Sequence, residues 1–93
     1  MKKTVEQRIL LELMTRRNSV LQHKVQLMDK SIYLLHNVQN TPPFSDEYKE
    51  ALHEYYISQK EIEELDREYS VWNKAVMVVE DIINEFENSE TTN

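Results

Sequence analysis

The chain has 93 residues, a net charge of −6, no glycine and no cysteine. It therefore holds one domain at most, and it lacks the residues for a glycine-rich phosphate loop, a disulfide, a thiolate metal site or a cysteine nucleophile. The charge is divided: residues 1–40 carry seven Lys/Arg against three acids, and residues 41–93 carry four against fourteen. Halves of opposite sign attract, which favours pairing them.

No apolar run exceeds five residues, the longest being Ala75 to Val79, so no membrane span is expected. Lys2 and Lys3 are not followed by the apolar stretch and small-residue site of a signal peptide. The absence of cysteine fits a reducing compartment. Cytoplasm is the expected location.

Residues from about Thr4 to Asn40 read as a first helix, free of proline and glycine. With Leu11 at heptad position a, the a residues are Leu11, Asn18, Val25 and Ile32, and the d residues are Met14, Leu21, Met28 and Leu35. A second stripe runs beside it at c and g: Leu10, Leu13, Val20, Leu27, Leu34 and Val38. Together the stripes span roughly 160° of the circumference at ~100° per residue, more than one partner helix covers. Glu12, Arg16, Gln22, His23, Gln26, Asp29, Lys30 and Asn37 form the solvated face, broken by Val5 and Tyr33.

Asn40-Thr41-Pro42-Pro43-Phe44-Ser45 punctuates the chain. Proline disfavours helix in the residue before it and cannot donate to a helical ladder. Asn37 or Asn40 is the expected left-handed cap in place of glycine. Ser45 is the expected N-cap of a second helix, with Asp46 and Glu47 at its positive end. Thr41 with Pro42 is an alternative start.

The second helix is expected from about Ser45 to Asn88, with residues 89–93 as a frayed tail. With Tyr48 at a, its a residues are Tyr48, Tyr55, Ile62, Tyr69, Val76 and Ile83. Its d residues are Ala51, Ser58, Leu65, Trp72, Val79 and Phe86. A seam this long must be buried on another helix.

A short turn between long helices implies an antiparallel hairpin, so the expected fold is all-α, one helical domain over residues 1–93. Facing the two a/d seams pairs Leu35 with Tyr48, Leu21 with Ile62 and Leu11 with Trp72, with residue numbers that sum to 83. The same register sets Arg17 against Glu68 and Lys24 against Glu61, opposite in sign. It leaves Ile82, Ile83 and Phe86 beyond the well-formed part of the first helix. The c/g flank of the second helix turns apolar there, at Val71, Ala75, Val78 and Ile82.

Two helices enclose little core, and a chain this small often needs a second copy. The expected remedy is a homodimer forming a four-helix bundle around Leu10, Leu13, Val20, Leu27, Leu34, Val71, Val78, Ile82 and Phe86.

Signals for chemistry are weak. Glu50-x-x-His53 has the spacing of a di-iron carboxylate motif, but two such motifs and two further inward glutamates are needed. His23, His36 and His53 lack the paired spacing of a zinc site. The acids Glu61, Glu63, Glu64, Asp66 and Glu68 read as a solvated helix face. Asn18 is the one polar residue in its seam, the kind that sets register and partner number, or else a residue watered at a bundle edge. Tyr48, Tyr55, Tyr69, Trp72 and Phe86 read as core at seam spacing. Tyr33, Tyr56 and Met77 lie off the seam and are the better candidates for an exposed hot spot.

No enzyme, metal or cofactor is therefore expected. The expected function is protein–protein interaction through helix faces, as adaptor, regulator or inhibitor of an unidentified protein. One alternative is RNA binding on the basic stripe of Arg16, His23 and Lys30, by analogy with the architecture of ROP-type dimeric hairpins. The acidic half would repel phosphate and disfavours it. Another is an acidic nucleic-acid mimic presenting Glu54, Glu61, Glu64 and Glu68 to a basic protein groove.

Overall fold

The computed structural model describes the backbone of residues 4–91 and the side chains of residues 5–88. It contains two helices, α1 (Thr4–Asn40) and α2 (Asp46–Thr91), packed on each other as a hairpin. The molecule measures 73 × 16 × 13 Å. At 1.5 Å per residue the 46 residues of α2 alone span about 69 Å, so α2 sets the length of the rod. Helix α2 continues to Thr91, past the expected end near Asn88. The rest of the expected tail, residues 92–93, lies outside the described residues. Among the described residues no helix is long and apolar enough to cross a membrane.

The turn is built by side chains standing in for glycine. The Thr41 hydroxyl donates to the Asn37 carbonyl and the Thr41 amide to Val38 O at 3.3 Å, which closes the last turn of α1. Ser45 caps α2: its Oγ accepts from the Tyr48 amide at 3.1 Å, as its place before Asp46 and Glu47 predicts. The left-handed residue is neither Asn37 nor Asn40 but Phe44, at φ 66°. The Thr41 hydroxyl already satisfies the end of α1, so the chain reverses four residues later.

In α2 the seam follows the expected heptad. Ala51, Ser58, Leu65 and Val76 are buried, and Tyr48, Tyr55, Ile62, Tyr69, Trp72, Val79 and Ile83 are half-buried. Phe86, expected in the same seam, is exposed.

In α1 the seam is the other stripe. Leu27, Ser31, Leu34 and Val38 are buried, and Glu6, Leu10, Leu13, Arg17, Val20 and Lys24 are half-buried. These alternate at spacings of three and four, an unbroken heptad seam one residue behind the a/d stripe. The expected a/d seam is corrected accordingly: Leu11, Asn18, Leu21, Val25, Met28, Ile32 and Leu35 are exposed, and of its eight residues Met14 alone is half-buried.

The register moves with it. Ser31 meets Ser58, so facing residue numbers sum to 89 rather than 83. The shift slides one helix along the other by about 9 Å. Arg17 binds Asn73 Oδ1 at 3.1 Å rather than Glu68, and Lys24 pairs with Asp66 rather than Glu61. Ile83 falls opposite Glu6, within the reach of α1 rather than beyond it.

The reason lies in three polar residues. The g positions of α1 hold Arg17, Lys24 and Ser31, which makes that stripe look inferior to the a/d stripe. Each of them finds a polar partner on α2: Arg17 with Asn73, Lys24 with Asp66, Ser31 with Ser58 and Gln59. A buried polar group that is hydrogen-bonded carries little penalty, so the seam tolerates all three.

Candidate interaction surface

The packing leaves α1 with a second, complete heptad face. Seven of its eight a/d residues from Leu11 to Leu35 are apolar, Asn18 being the exception. All of the stripe but the half-buried Met14 is exposed: Leu11 is 66% exposed, Val25 49% and Ile32 58%. The stripe is offset one residue from the buried seam, so it lies roughly 100° around α1 from α2.

Near the turn this face deepens into a groove of about 210 Å³ between the helices. Met28, Ile32 and Leu35 form its α1 wall, Tyr55, Gln59 and Ile62 its α2 wall, and Ser31 is among its lining residues. Leu52, one heptad before Gln59, is also exposed and extends the α2 wall. A continuous apolar strip of this kind marks an interaction site more often than an idle surface.

The opposite side is charged. Glu54, Glu61, Glu64 and Glu68 are exposed there as a ridge on α2. Lys30 lines a groove with Glu54 and Glu61, and Arg16 lines another with Glu68 and Trp72. The Arg16 guanidinium also lies 5.3 Å from the centroid of the Trp72 ring. The basic stripe of α1 and the acidic ridge of α2 thus lie side by side.

The expected interface residues divide into two groups. Leu27 and Leu34 are buried inside the hairpin, and Leu10, Leu13 and Val20 are half-buried in the same seam. These five are covered by α2 and do not form the open face expected of them. Val71, Val78, Ile82 and Phe86 are exposed, joined near the open end by Ile9. Tyr33, Tyr56 and Met77 are exposed as well.

The face that sequence reasoning assigned to the hairpin is therefore the free one. Two stripes on one helix signalled that α2 could cover only one of them. Their polar content alone could not say which stripe α2 takes.

Glu50 and His53 are both exposed, and among the described residues no three of His, Cys, Asp and Glu gather in a metal-binding group. Comparison with known protein families, characterised proteins and solved structures gives no significant match.

Proposed function

We propose that this protein is a non-enzymatic protein–protein interaction module of the cytoplasm. It self-associates through the open heptad face of α1 into a four-helix assembly, and acts as an adaptor, regulator or inhibitor. One observation carries this reading: α1 bears two full heptad seams, and α2 covers one of them. Fully burying a side chain such as Val25 or Ile32 is worth ~1.5–3 kcal/mol, so a stripe with six exposed apolar residues is a strong drive to find a helix. A hairpin of two helices supplies no other cover for it.

The charged side supports this reading over nucleic-acid binding. A nucleic-acid reader needs cations free to replace counterions on phosphate. Here Lys30 adjoins Glu54 and Glu61, and Arg16 adjoins Glu68 and stacks on Trp72. The same neighbours blunt the acidic ridge as a nucleic-acid mimic.

Light scattering on a sizing column tests the proposal. The wild-type chain should elute at the mass of a dimer. Val25→Glu with Ile32→Glu should elute as a monomer with unchanged helical circular dichroism, since both residues lie outside the buried seam, on the exposed stripe. A wild-type monomer at the highest soluble concentration overturns self-association.

A further inference from the structure

The open face of α1 carries enough chemical detail to say how its occupant lies, given the self-association proposed above. We infer that the occupant is α1 of a second copy, running parallel and in register, with Asn18 packed against Asn18 of that copy.

Residue type is the first argument. Two of the stripe's four a positions, Val25 and Ile32, are β-branched, beside Leu11 and Asn18, and its d positions hold only Leu and Met. β-Branched residues at a with Leu at d favour two parallel strands over three or four.

Asn18 is the second argument. In an antiparallel pair an a residue faces a d residue. The d residues of the stripe, Met14, Leu21, Met28 and Leu35, are apolar. Every antiparallel register that covers the stripe therefore places the Asn18 amide against a thioether or an isobutyl group, with no partner for its hydrogen bonds; facing it with the polar d residue Gln7 instead would overlap the helices over residues 4–21 alone. In a parallel pair a faces a, and only the in-register alignment brings one Asn18 amide to another. The two amides then satisfy each other, and any slipped alignment strands both.

Charge is the third. In a parallel pair the g residue of one helix meets the following e residue of its neighbour. Lys24 at g thus meets the second copy's Asp29 at e, opposite in sign. Lys24 is held by Asp66 of its own chain, so it would sit between two carboxylates. An antiparallel pair centred on the stripe, at His23, places Lys24 beside Lys24. The stripe lies roughly 100° around α1 from α2, so a second α1 docks beside α2 without displacing it. A parallel dimer also brings both Phe44 tips, each 88% exposed, to the same end of the rod.

Single cysteines read the orientation, because the chain has no cysteine of its own. In a parallel dimer Leu35→Cys lies beside its counterpart. In the antiparallel pair centred on His23 the two would be about 36 Å apart along the axis. Under a glutathione redox buffer Leu35→Cys should form an interchain disulfide, doubling the mass on a non-reducing gel. A mixture of Leu11→Cys and Leu35→Cys chains should give 11–11 and 35–35 products. Met14→Cys, in a separate turn, should behave as Leu35→Cys does. Predominant 11–35 products overturn the parallel arrangement while leaving self-association intact. A dimer by light scattering that forms none of these disulfides overturns the in-register alignment. A monomer by light scattering overturns the proposal together with the self-association beneath it.

Discussion

Ser31 of α1 and Ser58 of α2 are hydrogen-bonded at 3.3 Å across the hairpin, and both are buried. Gln59 Nε2 donates to the same Ser31 oxygen, and the single Ser58 hydroxyl proton is shared between Ser31 Oγ and the nearer Tyr55 carbonyl at 2.6 Å. This polar node sits in the best-buried part of the seam, between the layers of Leu27 and Leu34. Small side chains let the helices close there, and hydrogen bonds remove the cost of burying them.

Substitution at Ser31 should therefore be felt. Ser31→Ala leaves the Gln59 amide without its acceptor and should cost about 1 kcal/mol. Ser31→Leu must force a large side chain against Ser58 and should cost roughly 1–3 kcal/mol. Urea denaturation of the two variants compares them directly. A neutral Ser31→Leu would mean that the helices do not meet at this residue.

The register is open to a direct check. Cysteines replacing Ser31 and Ser58 should form a disulfide within one chain. Cysteines replacing Leu21 and Ile62, partners in the alternative register, should not. Peptide mapping of the oxidised protein distinguishes the two. An intrachain 21–62 disulfide would restore the a/d seam of α1 to the hairpin.

Phe44 stores strain at the turn. A left-handed conformation costs an L-residue roughly 1–2 kcal/mol. Glycine relieves that cost but gives back about 0.4–1 kcal/mol through the freer unfolded chain. With the ring 88% exposed and its centroid 6.2 Å from that of Tyr48, little packing is lost. Phe44→Gly should raise stability by about 0.5 kcal/mol, read as a higher thermal midpoint. A lower midpoint would show that the contact with Tyr48 outweighs the strain.

The covered seam of the hairpin and the open stripe of α1 should respond differently to truncation. Val76 on α2 is 1% exposed and packs in the hairpin, so Val76→Ala should cost about 2 kcal/mol. Val25 faces outward, so Val25→Ala should change the stability of the hairpin by less than about 0.5 kcal/mol. It should instead weaken association, seen as a melting temperature that depends more steeply on protein concentration. Equal losses at the two sites would remove the distinction between a covered and an open seam.

Much of this was legible along the chain. The heptad of α2 from Tyr48 to Ile83 identifies its buried face, because apolar residues recur there and polar ones surround it. Pro42 and Pro43 mark the turn, because neither can sit inside a helix. Ser45 reads as the cap it is, because its oxygen can reach the free amides of the next turn. The width of the apolar surface on α1 already said that one helix could not cover it.

Only the tertiary structure decided which stripe of α1 meets α2. Periodicity ranks stripes by how apolar they are, and by that measure the a/d stripe leads. Packing ranks them by what they meet. Arg17, Lys24 and Ser31 cost little once Asn73, Asp66, Ser58 and Gln59 stand opposite, and those partnerships exist only at one rotation and one register. Their choice frees the more apolar stripe, Leu11 to Leu35, for the surface. The sequence by itself determined that α1 has two apolar faces; the pairing of polar groups across the hairpin determined which of them remains open.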